Sequence, residues 1–89
     1  MGVVMELSEL APGQHGVIVG IGDDASPEAR RLADIGFVSG TPITVERRAP
    51  LGDPTVYVVR GTRIALRRSA AALIEVRAVP DDVSGAGAR

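Results

Sequence analysis

Asp23, Asp24 and Glu28 crowd the approach to a helix-like stretch, and three carboxylates this close could hold a hard divalent cation through oxygen ligands. They equally suit the electropositive first turn of a helix, a role that accounts for them with no metal at all. The stretch GVIVGIGDDA places Gly20, Gly22 and Ala25 in a G-x-G-x-x-A pattern, and Glu46 follows about twenty residues on, the layout of a dinucleotide-binding turn. Against that reading, Asp23 and Asp24 would stand where a pyrophosphate must lie, and hairpin signals follow instead of a second βαβ unit. A strand end eased by glycines is the better reading. His15 is the one histidine; a general base or metal ligand needs a positioned partner, which the sequence does not supply, so it reads as a loop residue ahead of a strand.

The arginine pairs Arg47-Arg48 and Arg67-Arg68 would make a basic patch if their strands adjoined, although neighbouring strand residues point to opposite faces and split the charge. With ten basic and eleven acidic residues the formal net charge is -1, which gives no electrostatic case for nucleic acid. Phe37 and Tyr57 are the only aromatic residues, too few for a polyproline groove. The absence of cysteine excludes a disulfide scaffold and thiolate metal sites. The longest apolar-plus-glycine run covers residues 16 to 22, far short of the roughly 20 residues of a membrane-spanning helix, so no direct membrane insertion is expected. Gly2 begins a myristoylation-like start, but Glu6 stands where serine or threonine is required. With no signal peptide visible, the cytoplasm is the default expectation. Gly36 and Gly40 match a membrane dimer motif only as a string, outside any apolar span.

A chain of 89 residues, 45% of them apolar, allows one domain with a small core, since a chain this short hides only about 60% of its unfolded surface. MELSELAP reads as a helical turn whose Leu7 and Leu10, three apart, share a side and serve as a lid or plug. GQHGVIVGIG alternates as a strand; Val17 and Val19 are its expected core face, and its glycine-rich second face is bare enough for another backbone to pass close. A helix follows, capped by Ser26, opened by Pro27 and stopped at Gly36, with Ala29, Leu32, Ile35 and Phe37 inward and Arg30, Arg31 and Asp34 outward. TPITVERR and TVYVVRG read as a long-looped hairpin around APLGDP, with Ile43 and Val45, then Val56 and Val58, expected inside. RIALRR adds a third strand with Ile64 and Leu66 inside, SAAALI one turn capped by Ser69, and EVRAV a last strand. About five short antiparallel strands with one helix fit a small barrel, because an open sheet of that size would expose its edges. The fold expected is mainly β: a partly open SH3-like barrel, one short helix after the first strand, and a short N-terminal helical turn. Residues 1–5 read as an extension, 6–79 as the domain and 80–89 as a flexible tail.

In order, LSEL.PG, RL..IGF..G from Arg31 to Gly40, APLGDP from Ala49 to Pro54 and IALRRS...LI.V from Ile64 to Val76 resemble the FeoA family of ferrous iron transport accessory proteins, over residues 6 to 77 or so. The resemblance implies the SH3-like barrel, a cytoplasmic location, no catalysis and no required cofactor. It also implies association with a FeoB-type membrane iron permease, through that permease's cytoplasmic GTP-binding region. No metal-ligand motif carries over residue by residue, so weak binding of ferrous iron or another divalent metal stays open, as does weak self-association. For partner contact the residues put forward are Arg31 and Asp34 on the outer face of the helix, Leu51 in the loop and Tyr57 on the next strand, since a loop leucine and a lone tyrosine are anchor types. The other reading is a stand-alone regulatory module of the kind appended to metal-dependent repressors of the diphtheria-toxin-repressor type; a small oxidoreductase would rest on the glycines alone.

Overall fold

The computed structural model describes residues 3–22 and 26–79. Six strands form one antiparallel sheet: β1 (Val4–Glu6), β2 (His15–Ile21), β3 (Pro42–Arg48), β4 (Thr55–Val59), β5 (Thr62–Leu66) and β6 (Ile74–Val79), in the order β1-β6-β2-β3-β4-β5. Two helices join them, α1 (Pro27–Ile35) between β2 and β3 and α2 (Arg68–Ala71) between β5 and β6. Register shifts at Ile18/Gly20, where β2 meets β6, and at Val45/Arg47, where β3 meets β4, put an extra residue into each ladder. Such bulges bend and twist a strand, and here they coil the sheet about its core.

The plug is confirmed. Leu7 opens a 3₁₀ turn, Leu7–Glu9, and both Leu7 and Leu10 are essentially fully buried; burying a leucine is worth about 1.5–3 kcal/mol. β1 precedes this turn and pairs Val4 with Arg77 and Met5 with Val76, so residues 4 and 5 belong to the sheet and not to an extension. The helix α1 starts where its signals put it: Ser26 Oγ accepts from the Ala29 N–H at 3.0 Å, and Pro27 takes the first turn. It ends at Gly36, whose φ of 131° only glycine adopts readily, with the Phe37 N–H donating to the Leu32 carbonyl. The chain is then stitched to β2 through Gly40 N–H to Ile18 O at 2.7 Å and Ile18 N–H to Thr41 O at 2.9 Å. This hinge lets a helix deliver the chain directly into β3.

Two strands turn the other face inward from the one expected. In β2 the buried residues are Gly16 and Ile18, while Val17 and Val19 are half-buried. The close approach expected on the glycine face is real, because a Cβ on Gly16 would lie 3.1 Å from the Arg77 carbonyl oxygen of β6. In β4 the inward residues are Thr55, Tyr57 and Val59, with Val56 and Val58 half-buried. Tyr57 lies opposite Val45, and cross-strand partners share a face, so the inward Val45 fixes Tyr57 inward. Ile35, expected inside, is 47% exposed, whereas Ala29, Leu32 and Phe37 are buried. The cap of α2 is not Ser69: Arg67 holds the N-cap position, and the Arg68 N–H is met instead by Asp53 Oδ1 at 2.8 Å. His15 is the first residue of β2, its Nδ1 3.2 Å from Thr44 Oγ1, so it is a strand residue and not a loop one. Gly2, Asp23, Asp24, Ala25 and the tail from residue 80 lie outside the described residues.

Candidate functional site

Two surface hollows that meet at Arg31, and one closed loop, carry the residues put forward for partner contact. The outer side of α1 forms the first: Pro27, Arg30, Arg31 and Asp34 line an open hollow of about 370 Å³. A second hollow of about 360 Å³ runs from Glu28 and Arg31 to Ala65, Leu66, Arg67, Ser69 and Ala70, so Arg31 stands between α1 and the β5-α2 corner. Its guanidinium pairs with Glu28 at 3.3 Å, both side chains exposed, a contact of little energetic weight in water. Asp34 is exposed on the same helix.

The loop between β3 and β4 is the third feature. It is closed on itself by Ala49 N–H to Pro54 O at 2.9 Å and Gly52 N–H to Ala49 O at 2.7 Å, and Asp53 ties it to the start of α2. Gly52 has a φ of 93°, which suits only glycine in so tight a turn. At its tip Leu51 is 96% exposed. A leucine held in water by a closed loop spends apolar surface that the core could have used.

The structure therefore leaves Arg31, Asp34 and Leu51 at the surface and removes Tyr57. That side chain is 1% exposed, so it packs in the core and is not the exposed anchor expected. Burial pushes its phenol above the usual 10, against a hydrogen bond from Thr55 and the nearby Arg48 and Arg68, which pull the other way. The arginine pairs split: Arg48 and Arg68, one from each pair, border the same small cavity, while Arg47 and Arg67 are exposed, Arg47 on β3 and Arg67 at the cap of α2. What sequence reasoning missed is the use of Arg48 as a clamp, its Nη2 donating to the Leu10 carbonyl at 2.7 Å and its Nε to Thr55 Oγ1 at 3.1 Å. No motif signals it; the partner carbonyl lies 38 residues away.

Among the described residues no three of the His, Cys, Asp and Glu side chains gather as a metal site, and Glu28 faces Arg31. Gly22 continues the ladder by donating to the Leu73 carbonyl at 2.8 Å, and every strand pairing is antiparallel. A dinucleotide turn needs parallel βαβ units, so the glycine motif is a strand end. No helix among the described residues is long and apolar enough to cross a membrane.

The FeoA domain family matches residues 5–78. The chain belongs to the FeoA family. Among curated proteins, a fusion of Fe(2+) transport protein A with the Fe(2+) transporter FeoB from Porphyromonas gingivalis is 38% identical over 84 residues, which is 94% of this chain and 10% of that protein. This FeoA chain thus spans about a tenth of that relative's length. The solution structure of a FeoA-like protein from Clostridium acetobutylicum superposes with a TM-score of 0.83 at 33% identity, over 91% of this chain and 93% of that one. The FeoA of Stenotrophomonas maltophilia, an SH3 domain protein solved with zinc, gives 0.73 at 36% identity, over 81% and 88% of the two chains. A manganese-dependent transcriptional repressor, 22% identical with a TM-score of 0.76 over 89% of this chain and 44% of its own, shares the fold alone. The expected SH3-like architecture and the FeoA membership both hold, and the FeoA family is linked to ferrous iron transport.

Proposed function

We propose that this FeoA chain is a non-catalytic accessory protein of ferrous iron uptake that acts by docking on the cytoplasmic GTP-binding region of a FeoB-type membrane permease, at the inner face of the membrane. One observation carries the proposal: a relative 38% identical over 94% of this chain is joined to FeoB in a single polypeptide. Covalent linkage raises the effective concentration of one module at the other, which is useful when the two must meet. Iron is the cargo here, and a resident cofactor has no part in the reading.

The docking surface proposed is Arg31 and Asp34 on α1 with Leu51 on the closed loop. Leu51 supplies the apolar anchor, and the two charged side chains supply a rim that orients the partner. The kinship with the repressor, at 22% identity, is one of fold and supports no separate regulatory reading.

Arg31→Glu and Leu51→Ser test the surface separately, since both residues are exposed and neither substitution touches the core. Each folded variant is expected to bind the permease's cytoplasmic domain more weakly and to restore less iron uptake in cells lacking the native protein. If both variants match wild type in both assays, the docking site lies elsewhere.

A further inference from the structure

Beneath the loop, Ser8, Arg48, Gly52, Thr55, Tyr57 and Arg68 enclose a cavity of about 10 Å³, the space of one oxygen-sized sphere. We propose that this cavity and the two guanidiniums at its rim bind a carboxylate, one of whose oxygens enters while the other stays at the mouth.

Arg48 is fixed for such a role. Its Nε and Nη2 are committed to Thr55 Oγ1 and the Leu10 carbonyl, which hold the guanidinium plane in place while the rest of its five donors stay available. Arg68 contributes its backbone N–H to Asp53, yet its side chain makes no hydrogen bond with a described residue. Neither guanidinium forms an ion pair among the described residues, where the pairs are Arg31 with Glu28 and Arg63 with Glu46. Arg48 is half-buried and meets only neutral acceptors, which offset its lost hydration in part, and a carboxylate would meet it and the exposed Arg68 with short charge-assisted bonds.

The remaining walls suit one small anion. Tyr57 is buried and its phenol stays protonated through neutral pH, so the wall there is a hydroxyl and not a repelling phenolate. Two carboxylates stand near and are already engaged: Asp53 Oδ1 accepts from the Arg68 N–H, and Glu6 Oε1 accepts from the Ser8 hydroxyl at 3.2 Å. They set the selectivity, because a phosphate dianion would bring its additional charged oxygens against both, whereas a monovalent carboxylate presents only two oxygens. The ligand could be a free carboxylate or the side chain of an acidic residue on a partner, and the chemistry at the cavity is the same for both.

The test is a nitrogen-15 NMR titration of the whole chain with sodium acetate, with sodium chloride at equal ionic strength, and with an end-blocked Gly-Asp-Gly peptide. Saturable shifts at the amides of Gly52, Thr55 and Arg68 with acetate or the peptide, and none with chloride, are the expected result. Arg68→Gln, at an exposed position, should keep a dispersed spectrum and weaken binding about tenfold, the scale of one lost charge-assisted hydrogen bond. Tyr57→Phe, which removes only the hydroxyl, should weaken it less. Tighter binding of the peptide than of acetate assigns the site to an acidic side chain, and the reverse assigns it to a free carboxylate. Shifts that do not saturate, that chloride reproduces, or that Arg68→Gln leaves unchanged would overturn the proposal.

Discussion

Replacing Gly16 by alanine forces a methyl group into the seam between β2 and β6. The new Cβ would sit 3.1 Å from the Arg77 carbonyl oxygen, 3.3 Å from Leu10 Cδ1 and 3.6 Å from Val76 Cβ. Leu10 can rotate a little, but the Arg77 carbonyl belongs to β6, which β1 holds on one side and β2 on the other. Overpacking of this kind costs about 1–3 kcal/mol. Against it, alanine narrows the unfolded ensemble and returns about 0.4–1 kcal/mol. The net expectation is a loss of about 1–2 kcal/mol, or a fall of about 5–15 °C in Tm for a chain of this size. Gly20, on the same strand, supplies the control: a Cβ there meets nothing within 4 Å, so Gly20→Ala keeps only the gain of about 0.4–1 kcal/mol. Urea unfolding followed by circular dichroism separates the two, with an unchanged m-value showing that the compactness of the end states is the same. Equal midpoints for the two variants, or a Gly16→Ala protein as stable as wild type, would refute the claim that the seam is closed at Gly16.

Two further predictions follow from the interior. Tyr57 is the sole tyrosine, so absorbance near the phenolate band reports it alone, and it should ionise at higher pH in the fold than in urea. The folded pKa is raised above the unfolded 10, so the fold holds the proton longer: its contribution to stability is complete below pH 10 and is lost as pH rises above it. Coincident folded and unfolded titrations would contradict this. The core, built on Leu7, Ile18, Leu32, Phe37, Ile43, Val45 and Val76, is sufficient without metal, and exhaustive chelation should leave NMR dispersion intact; its collapse would show that a cation holds the fold.

Elements marked by punctuation were legible in the sequence, and faces of strands were less so. Ser26, Pro27 and Gly36 announce α1 because each meets a local backbone need that any neighbour would impose. Alternation failed in β2 and β4 for a physical reason. In β2 the inward face carries Gly16 and Ile18: β6 approaches too closely at Gly16 to leave room for a side chain there, and Val17 and Val19 are left half-buried on the other side. In β4 nearly every side chain is apolar, so the inward set is chosen by pairing with β3 and by the turn at Arg60 and Gly61, whose φ values of 53° and 78° make the reversed twist of a tight hairpin. β1 was invisible because three residues carry too little pattern. Of the proposed surface, Leu51 could be read from its place between proline and glycine, whereas Tyr57 could not be told from an exposed anchor until its face was known. The pairing of Arg48 with Arg68 around one cavity depends on contacts between distant segments, which no local spacing encodes.

β1 and β6 run side by side, with Val4 opposite Arg77, so the chain enters and leaves this domain from neighbouring positions on one sheet. A polypeptide with that layout behaves like a loop drawn from a thread: it can be spliced into a longer protein, or hung from one end, through two adjacent strands. A tether on either strand pulls on the same end of the strand order and leaves β5, at the other end, unattached.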